Sequence, residues 1–244
     1  MNREENIDFC IRYLMQQNHA NAPIPHDMRG KKQLLRALMN IWHPQPLSHQ
    51  FLQAQDAELQ AQLKEKTIAY SRQPLWQGDI TRLKVDAIVN PANSRGLGCW
   101  HPLHHCLDNA IHSAAGLQLR QHCNNILHGH QIATGGAIIT PAYNLPAKYV
   151  IHTVGPLILS AAPTAGQEEQ LASCYRSSLF LARTHHCRSI AFPSISTGEF
   201  HFPNRRAAEI ALNACMGAPL RVLFIVFNDL DYEIYRQLLG IGEK

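Results

Sequence analysis

Two thiols and four imidazoles fall within fifteen residues, Gly98-Cys99-Trp100-His101-Pro102-Leu103-His104-His105-Cys106-Leu107-Asp108-Asn109-Ala110-Ile111-His112. Thiolate and imidazole are the ligands that Zn2+ takes in tetrahedral geometry. The segment comes after a strand-like run, Ala87-Ile88-Val89-Asn90. In α/β sheets the loops beyond the carboxyl ends of strands are where ligands bind. The segment is therefore the first candidate for a metal inside an active site. The chain has fifteen histidines, so chance proximity competes with any metal assignment that rests on imidazole alone. Of the seven cysteines, Cys10, Cys174 and Cys215 sit in apolar helical patterns and are expected as buried small hydrophobes. Cys123 and Cys187 are read as structural.

Three further stretches could hold a ligand. Asn90-Pro91-Ala92-Asn93-Ser94 places two amides at a strand exit, where they either turn the chain or reach a ligand's hydroxyls and carbonyls. Ser194-Ile195-Ser196-Thr197-Gly198-Glu199-Phe200 lies between a strand and a helix and offers backbone N–H groups that can cradle a diphosphate. Gly78-Asp79-Ile80 is either an ordinary turn or an acceptor for the exocyclic amine of a base. Asp108 opens a helix, where a carboxylate is favoured by about 0.3–1 kcal/mol, and it also lies beside the thiol and imidazole groups. His101 and His105 are read as loop residues, and His112 and His152 as hydrogen-bonding within the packed domain.

These groups need a scaffold. A chain of 244 residues, 45% hydrophobic and 16% charged, can bury a large core. No signal-like N-terminus and no membrane-length apolar run are visible, which gives an expectation of a cytoplasmic protein with reduced thiols. The net charge of +4 is spread out and only weakly favours nucleic acid. Residues 1–73 read as helices: Ile7, Cys10, Ile11 and Leu14 share one stripe, and Leu34, Leu35, Leu38, Met39 and Trp42 another. Ser48 is expected to cap a third helix after Pro44 and Pro46, with Gln53, Gln55, Gln60 and Gln62 on a solvated face. Each helix has a single apolar stripe, so the unit should pack on the rest of the chain. From 74 to 244, strand candidates at 75–79, 87–90, 136–140, 149–153, 189–193 and 221–227 alternate with helix candidates at 107–115, 117–126, 167–186, 204–216 and 229–239. That alternation predicts an α/β fold whose mainly parallel sheet is covered on both faces.

In order along the chain stand Gly78-Asp79-Ile80, Val85-Asp86-Ala87-Ile88-Val89-Asn90-Pro91-Ala92-Asn93-Ser94, Ile111-His112-Ser113-Ala114-Ala115-Gly116, Tyr149-Val150-Ile151-His152-Thr153-Val154-Gly155-Pro156 and Phe192-Pro193-Ser194-Ile195-Ser196-Thr197-Gly198. Over residues 75–240 this resembles the macrodomain family, whose members bind ADP-ribose. The pattern Gly98-Cys99-x-x-Pro102-x-His104-x-Cys106-Leu107-Asp108-Asn109-x-Ile111-His112 resembles a narrower bacterial branch, the zinc-containing macrodomains, which also carry a helical N-terminal extension. The resemblance implies a three-layer α/β/α macrodomain with a mixed, mainly parallel sheet at 74–244 and a helical extension at 1–73.

It also implies that Asp79 holds the adenine amine beside the backbone of Ile80. Asn93 would approach the distal ribose, and Ser196, Thr197, Gly198, Glu199 and Phe200 would wrap the diphosphate and that ribose. Cys99, His104 and Cys106 would bind Zn2+, and Asn93 and Asp108 would serve catalysis. Macrodomain hydrolases usually have a glycine run before the helix aspartate. Here the zinc insert replaces it, keeping only Gly96 and Gly98. Three protein ligands would leave one position open, as in a catalytic zinc, which could polarise a ribose hydroxyl or the leaving group, or lower the pKa of a water towards ~7. The implied function is zinc-dependent release of ADP-ribose from a mono-ADP-ribosylated protein. The alternative is a non-catalytic ADP-ribose reader with a structural zinc. The branch's association with a lipoyl-carrier protein resembling the glycine-cleavage H protein suggests one such substrate.

Overall fold

The computed structural model describes residues 2–242. Three helices come first: α1 (Arg3–Gln17), α2 (Met28–Asn40) and α3 (His49–Lys66). Asn2 and Glu5 form a capping box on α1, Asp27 caps α2, and Ser48 caps α3 by accepting the Phe51 N–H. Ile7, Cys10, Ile11, Leu14, Leu35, Leu38, Trp42 and Phe51 form a shared core that also takes in Leu117 from the sheet-bearing part of the chain.

The polar face of α3 is solvated only in part: Gln53 and Gln60 are exposed as expected and Gln62 is half-buried. Gln55 is fully buried, accepts the Leu117 N–H at 3.0 Å and donates to Gln118 at 2.7 Å. Gln60 donates to the Asn144 carbonyl at 3.0 Å. Side-chain amides can satisfy backbone groups at a packed interface, so a glutamine-rich face there is a polar seam.

The remaining elements are β1 (Leu75–Gln77), β2 (Ala87–Pro91), α4 (Leu107–Ala115), α5 (Leu117–Leu127), β3 (Ala137–Pro141), β4 (Tyr149–Thr153), α6 (Ala165–Thr184), β5 (Ser189–Pro193), α7 (Asn204–Cys215), β6 (Arg221–Val226) and α8 (Asp229–Leu238). The sheet order is β1-β6-β5-β2-β4-β3, with every pair parallel except β3 with β4. One face buries Ile111, Ala115 and Leu119 of α4 and α5. The other buries Leu171 and Tyr175 of α6, Ala207 and Ala211 of α7, and Tyr235 of α8. This is a three-layer α/β/α sandwich.

Two expected boundaries shift for local reasons. β1 stops at Gln77 because Asp79 accepts the Thr81 N–H and starts a short 3-10 turn, Ile80–Arg82. α6 begins at Ala165 because Thr164 and Gln167 make a capping box. All seven cysteines are free thiols, with Cys10, Cys123, Cys174, Cys187 and Cys215 buried. No helix among the described residues is long and apolar enough to cross a membrane. The chain leaves β2 toward β4 on one side and then crosses to β5 on the other, so the crevice beyond the carboxyl end of β2 is where such sheets place ligands.

Candidate functional site

Three loops meet at that crevice. The loop from β2 to α4 carries the thiols and imidazoles. His104 Nδ1 lies 3.5 Å from the Cys99 sulfur, and ligand atoms of Cys99, His104 and Cys106 all fall within 4.8 Å of one another. A tetrahedral ion with zinc–sulfur and zinc–nitrogen bonds of ordinary length sets neighbouring donor atoms about 3.5–3.8 Å apart. Two sulfurs and one imidazole at this spacing therefore fit a zinc-type ion. Cys106 is also the N-cap of α4, its sulfur accepting the Asn109 N–H at 3.4 Å. Burial first of all, together with nearby Cys99 and Asp108, pushes the Cys106 thiol up to about 12. A coordinated cation reverses that, because a ligating thiol is deprotonated.

Asp108 lies in the first turn of α4, two residues past Cys106. Its Oδ1 accepts from Asn90 Nδ2 at 2.7 Å and its Oδ2 faces Asn93 Nδ2 at 3.3 Å. Burial pushes this carboxyl up to about 6 against the opposing pull of Asn90, Arg120 and Asn93. Asn93 is partly exposed, also donates to the Gly98 carbonyl at 3.1 Å, and accepts the Arg95 N–H at 3.0 Å. It thus turns the chain and faces the carboxylate at once. Asn90 does neither thing that its place in the sequence suggested. It is fully buried and serves Asp108.

Asn90 is itself oriented from behind. Its Nδ2 also meets His152 Nδ1 at 3.1 Å, while His152 Nε2 meets Thr140 Oγ1 at 3.1 Å. Thr140 donates its own hydrogen to the Val150 carbonyl, so it accepts from His152 Nε2–H, and Nδ1 is left as the acceptor for Asn90. Burial holds His152 neutral, at about 3, and pushes His112 well below its ordinary value. His112, Cys123 and His152 form a second close thiol–imidazole group. Both His152 nitrogens are already committed to hydrogen bonds, so this group reads as a packed network. His112 packs under Gly98, whose φ of 79° and missing Cβ let the loop lie on the ring; a Cβ there would stand 2.7 Å from it.

The loop after β5 faces the metal loop. The amides of Ser196, Thr197, Gly198, Glu199 and Phe200 donate to no protein acceptor among the described residues, although the Phe200, Gly198 and Ser196 carbonyls are used by Ile158, His201 and Phe202. Ser196 has φ of 65° and presses on Gly155, where a Cβ would lie 2.0 Å from its Oγ. The two loops touch where Glu199 Oε1 comes within 3.7 Å of His104 Nε2. Asp79 sits at another loop of the same edge. Its Oδ1 is taken by Thr81, while Oδ2 has only a 3.4 Å contact to Lys66 and is open to a ligand. Ile80 is buried behind it.

The structure thus brings the three predicted ligands together, sets Asn93 on Asp108, and faces them with the 196–200 loop. Residues 89–211 match the Macro domain family model. The chain belongs to the Macro domain family. A protein-ADP-ribose hydrolase of Treponema medium is 44% identical, covering 98% of this chain and 100% of that protein. One from Staphylococcus aureus is 40% identical over 95% of this chain and 94% of its own. Among solved structures, a macrodomain of Oceanobacillus iheyensis with ADP is similar with a TM-score of 0.61 and 40% identity, covering 68% of this chain and 88% of that one. A Trypanosoma brucei macrodomain in complex with ADP-ribose has a TM-score of 0.62 at 29% identity, covering 84% and 95%.

Two residues beside these loops take places that the sequence did not suggest. Asn90 reads as a turn residue or a ligand contact, and only the pairing of β2 with β4 brings it to His152. Phe227 reads as the end of a buried strand. It is instead 82% exposed and lies just past Val226, whose carbonyl takes the Gly78 N–H beside Asp79. The aromatic residue ending an apolar strand was its only signal.

Proposed function

We propose that this macrodomain is a protein-ADP-ribose hydrolase that frees ADP-ribose from mono-ADP-ribosylated protein by hydrolysis at C1″ of the distal ribose. The observation that carries the reading is the His104–Glu199 contact, which joins the thiol–imidazole loop leading into Asp108 to the open-amide loop. The hydrolase relatives, similar over nearly the full chain, support it.

In this reading Asp79 Oδ2 accepts the adenine amine, with Ile80 beside it and the face of Phe227 as an apolar neighbour. The amides of 196–200 take the diphosphate, which suits N–H groups without partners. Asn93 turns its amide on the distal ribose. Asp108, held by Asn90, acts as base or orients the attacking water, since a buried carboxylate with a raised pKa is suited to moving a proton near neutrality. Cys99, His104 and Cys106 would hold Zn2+, which when bound supplies Lewis-acid polarisation at the scissile end of the ligand. Glu199, facing the other nitrogen of His104, would orient that imidazole.

The test is incubation of a mono-ADP-ribosylated protein with wild type and Cys99→Ser, monitoring free ADP-ribose. A lipoyl-carrier protein resembling the glycine-cleavage H protein is the first substrate to try. Release by wild type and none by Cys99→Ser is expected. Tight ADP-ribose binding without release by wild type would leave the reader module as the function.

A further inference from the structure

The loop that carries Cys99, His104 and Cys106 makes few regular backbone hydrogen bonds of its own, yet it must hold three donor atoms in register. The groups that hold it come from the N-terminal helices. Arg36 of α2 is half-buried and sends Nη2 to the His104 carbonyl at 3.0 Å. The same guanidinium forks onto Asn109 Oδ1, with Nη2 at 2.7 Å and Nε at 3.1 Å. Asn109 Nδ2 in turn donates to the His101 carbonyl at 3.0 Å.

One turn further along α2, Asn40 accepts the Leu103 N–H at 3.0 Å and donates to Ser113 at 3.0 Å. Leu103 has φ of 58°, a left-handed conformation that bends the loop just before His104. Its amide is thus pinned at the bend. Behind the loop, buried Arg120 of α5 donates to the carbonyls of Met39, Asn40 and Trp42 at 3.1, 2.8 and 2.8 Å and lies 4.4 Å over the Trp100 ring. The end of α2 and the metal loop are fastened to one another on both sides.

The partners of Arg36 are a carbonyl and an amide oxygen, with no carboxylate bonded to it among the described residues, so its hydrogen bonds are spent on the loop and on Asn109.

We propose that the N-terminal helices are a working part of the metal centre: Arg36 and Asn40 are positioning residues that hold the 99–106 loop in its ligating shape. The inference rests on the metal reading under Proposed function. Partners outside the ligand set commonly matter 10- to 100-fold for metal affinity. Lysine cannot replace arginine here, because a single ammonium cannot fork onto Asn109 and reach the His104 carbonyl together.

The full-length chain is titrated with Zn2+ against a competing chelator, and with Co2+ monitored by its visible spectrum. Wild type should bind one equivalent. Arg36→Gln should weaken Zn2+ binding by roughly 10- to 100-fold and change the Co2+ spectrum. Arg36→Lys, which keeps the charge but loses the fork, should weaken it as well, and Asn40→Ala should weaken it through the bend at Leu103. Arg206→Gln, which breaks a surface pair between Arg206 of α7 and Glu168 of α6, should match wild type. Thermal unfolding in chelator separates a lost clamp from a lost fold. If Arg36→Gln fails to fold, Arg36→Lys and Asn40→Ala decide the matter. Wild-type affinity and spectrum in the folded variants would overturn the clamp while leaving the metal centre standing. Equal weakening by Arg206→Gln would overturn it too. A wild type that binds neither Zn2+ nor Co2+ would instead remove the metal reading itself.

Discussion

Two buried aspartates stand at opposite ends of β2. Asp86, just before the strand, accepts the N–H groups of Arg188 and Ser189 at 2.8 and 3.1 Å, the Ser189 hydroxyl at 3.2 Å and the Lys148 ammonium at 2.7 Å. Burial raises its pKa, but Lys148, the Arg188 N–H and Ser189 outweigh that and hold it below the ordinary carboxylate range. Asp108, beyond the other end, has two asparagine amides and no lysine or arginine bonded to it, and burial pushes it up to about 6. One carboxylate is fully answered and ties β2 to β5. The other is buried with incomplete compensation, at the mouth where the loops converge. Incomplete compensation is what active sites tend to keep, because the same field that costs stability sets a usable pKa.

The largest effect should fall at the carboxyl end. Cys106→Ser should abolish most ADP-ribose release, by more than about 100-fold, while ADP-ribose binding survives because adenine and diphosphate are held by other loops. Equal rates for wild type and a folded, metal-free variant would break the idea that this end needs a metal.

The two aspartates should then part company. Asp108→Ala should lower turnover by roughly 10²- to 10⁴-fold with little loss of stability. Asp86→Ala should leave the rate per folded molecule unchanged but cost about 2–3 kcal/mol, since two strand-end amides and Lys148 lose their partner. Urea unfolding and single-turnover assays on both variants check this. A reversal of the two phenotypes would sink the comparison.

Acid titration sharpens it. A carboxyl held below its unfolded value contributes stability above about pH 4 that is lost as pH falls through the folded pKa. Wild type should therefore lose stability below about pH 4 more steeply than Asp86→Ala, as read by urea midpoints across pH. Parallel curves would mean that Asp86 is not the staple it looks like.

The smallest effect belongs to the adenine end. Asp79→Asn can keep the cap on Thr81 through Oδ1 while replacing the open acceptor with a donor. ADP-ribose should bind roughly tenfold more weakly by calorimetry, with metal content unchanged. Wild-type affinity would mean that the base sits elsewhere.

Much of the fold was legible because periodicity reports burial. The runs at β2, β4, β5 and β6 and the stripes of α1 and α2 are patterns that only a strand or a helix can bury. Among the glutamines of α3, Gln55 misled for the converse reason: polarity reports solvent only where no partner is packed nearby, and Gln55 found Leu117 and Gln118. The site divides in the same way. Cys99, His104 and Cys106 lie five and two residues apart in one loop, so their meeting needed only a local turn.

Residue types and local pattern carried the donor chemistry, the open-amide loop and the alternation that makes a parallel sheet. Tertiary structure decided everything carried across long separations. The pairing of β2 with β4 brings His152 behind Asn90, that of β3 with β4 brings Thr140 behind His152, and together they set Asp108. The crossing to β5 sets Glu199 on His104, and the docking of α2 places Arg36 behind the thiols. None of these contacts has a periodicity or a spacing. Each depends on which surfaces the packed layers press together, and that is fixed by the burial of whole faces, with no local signal in the chain.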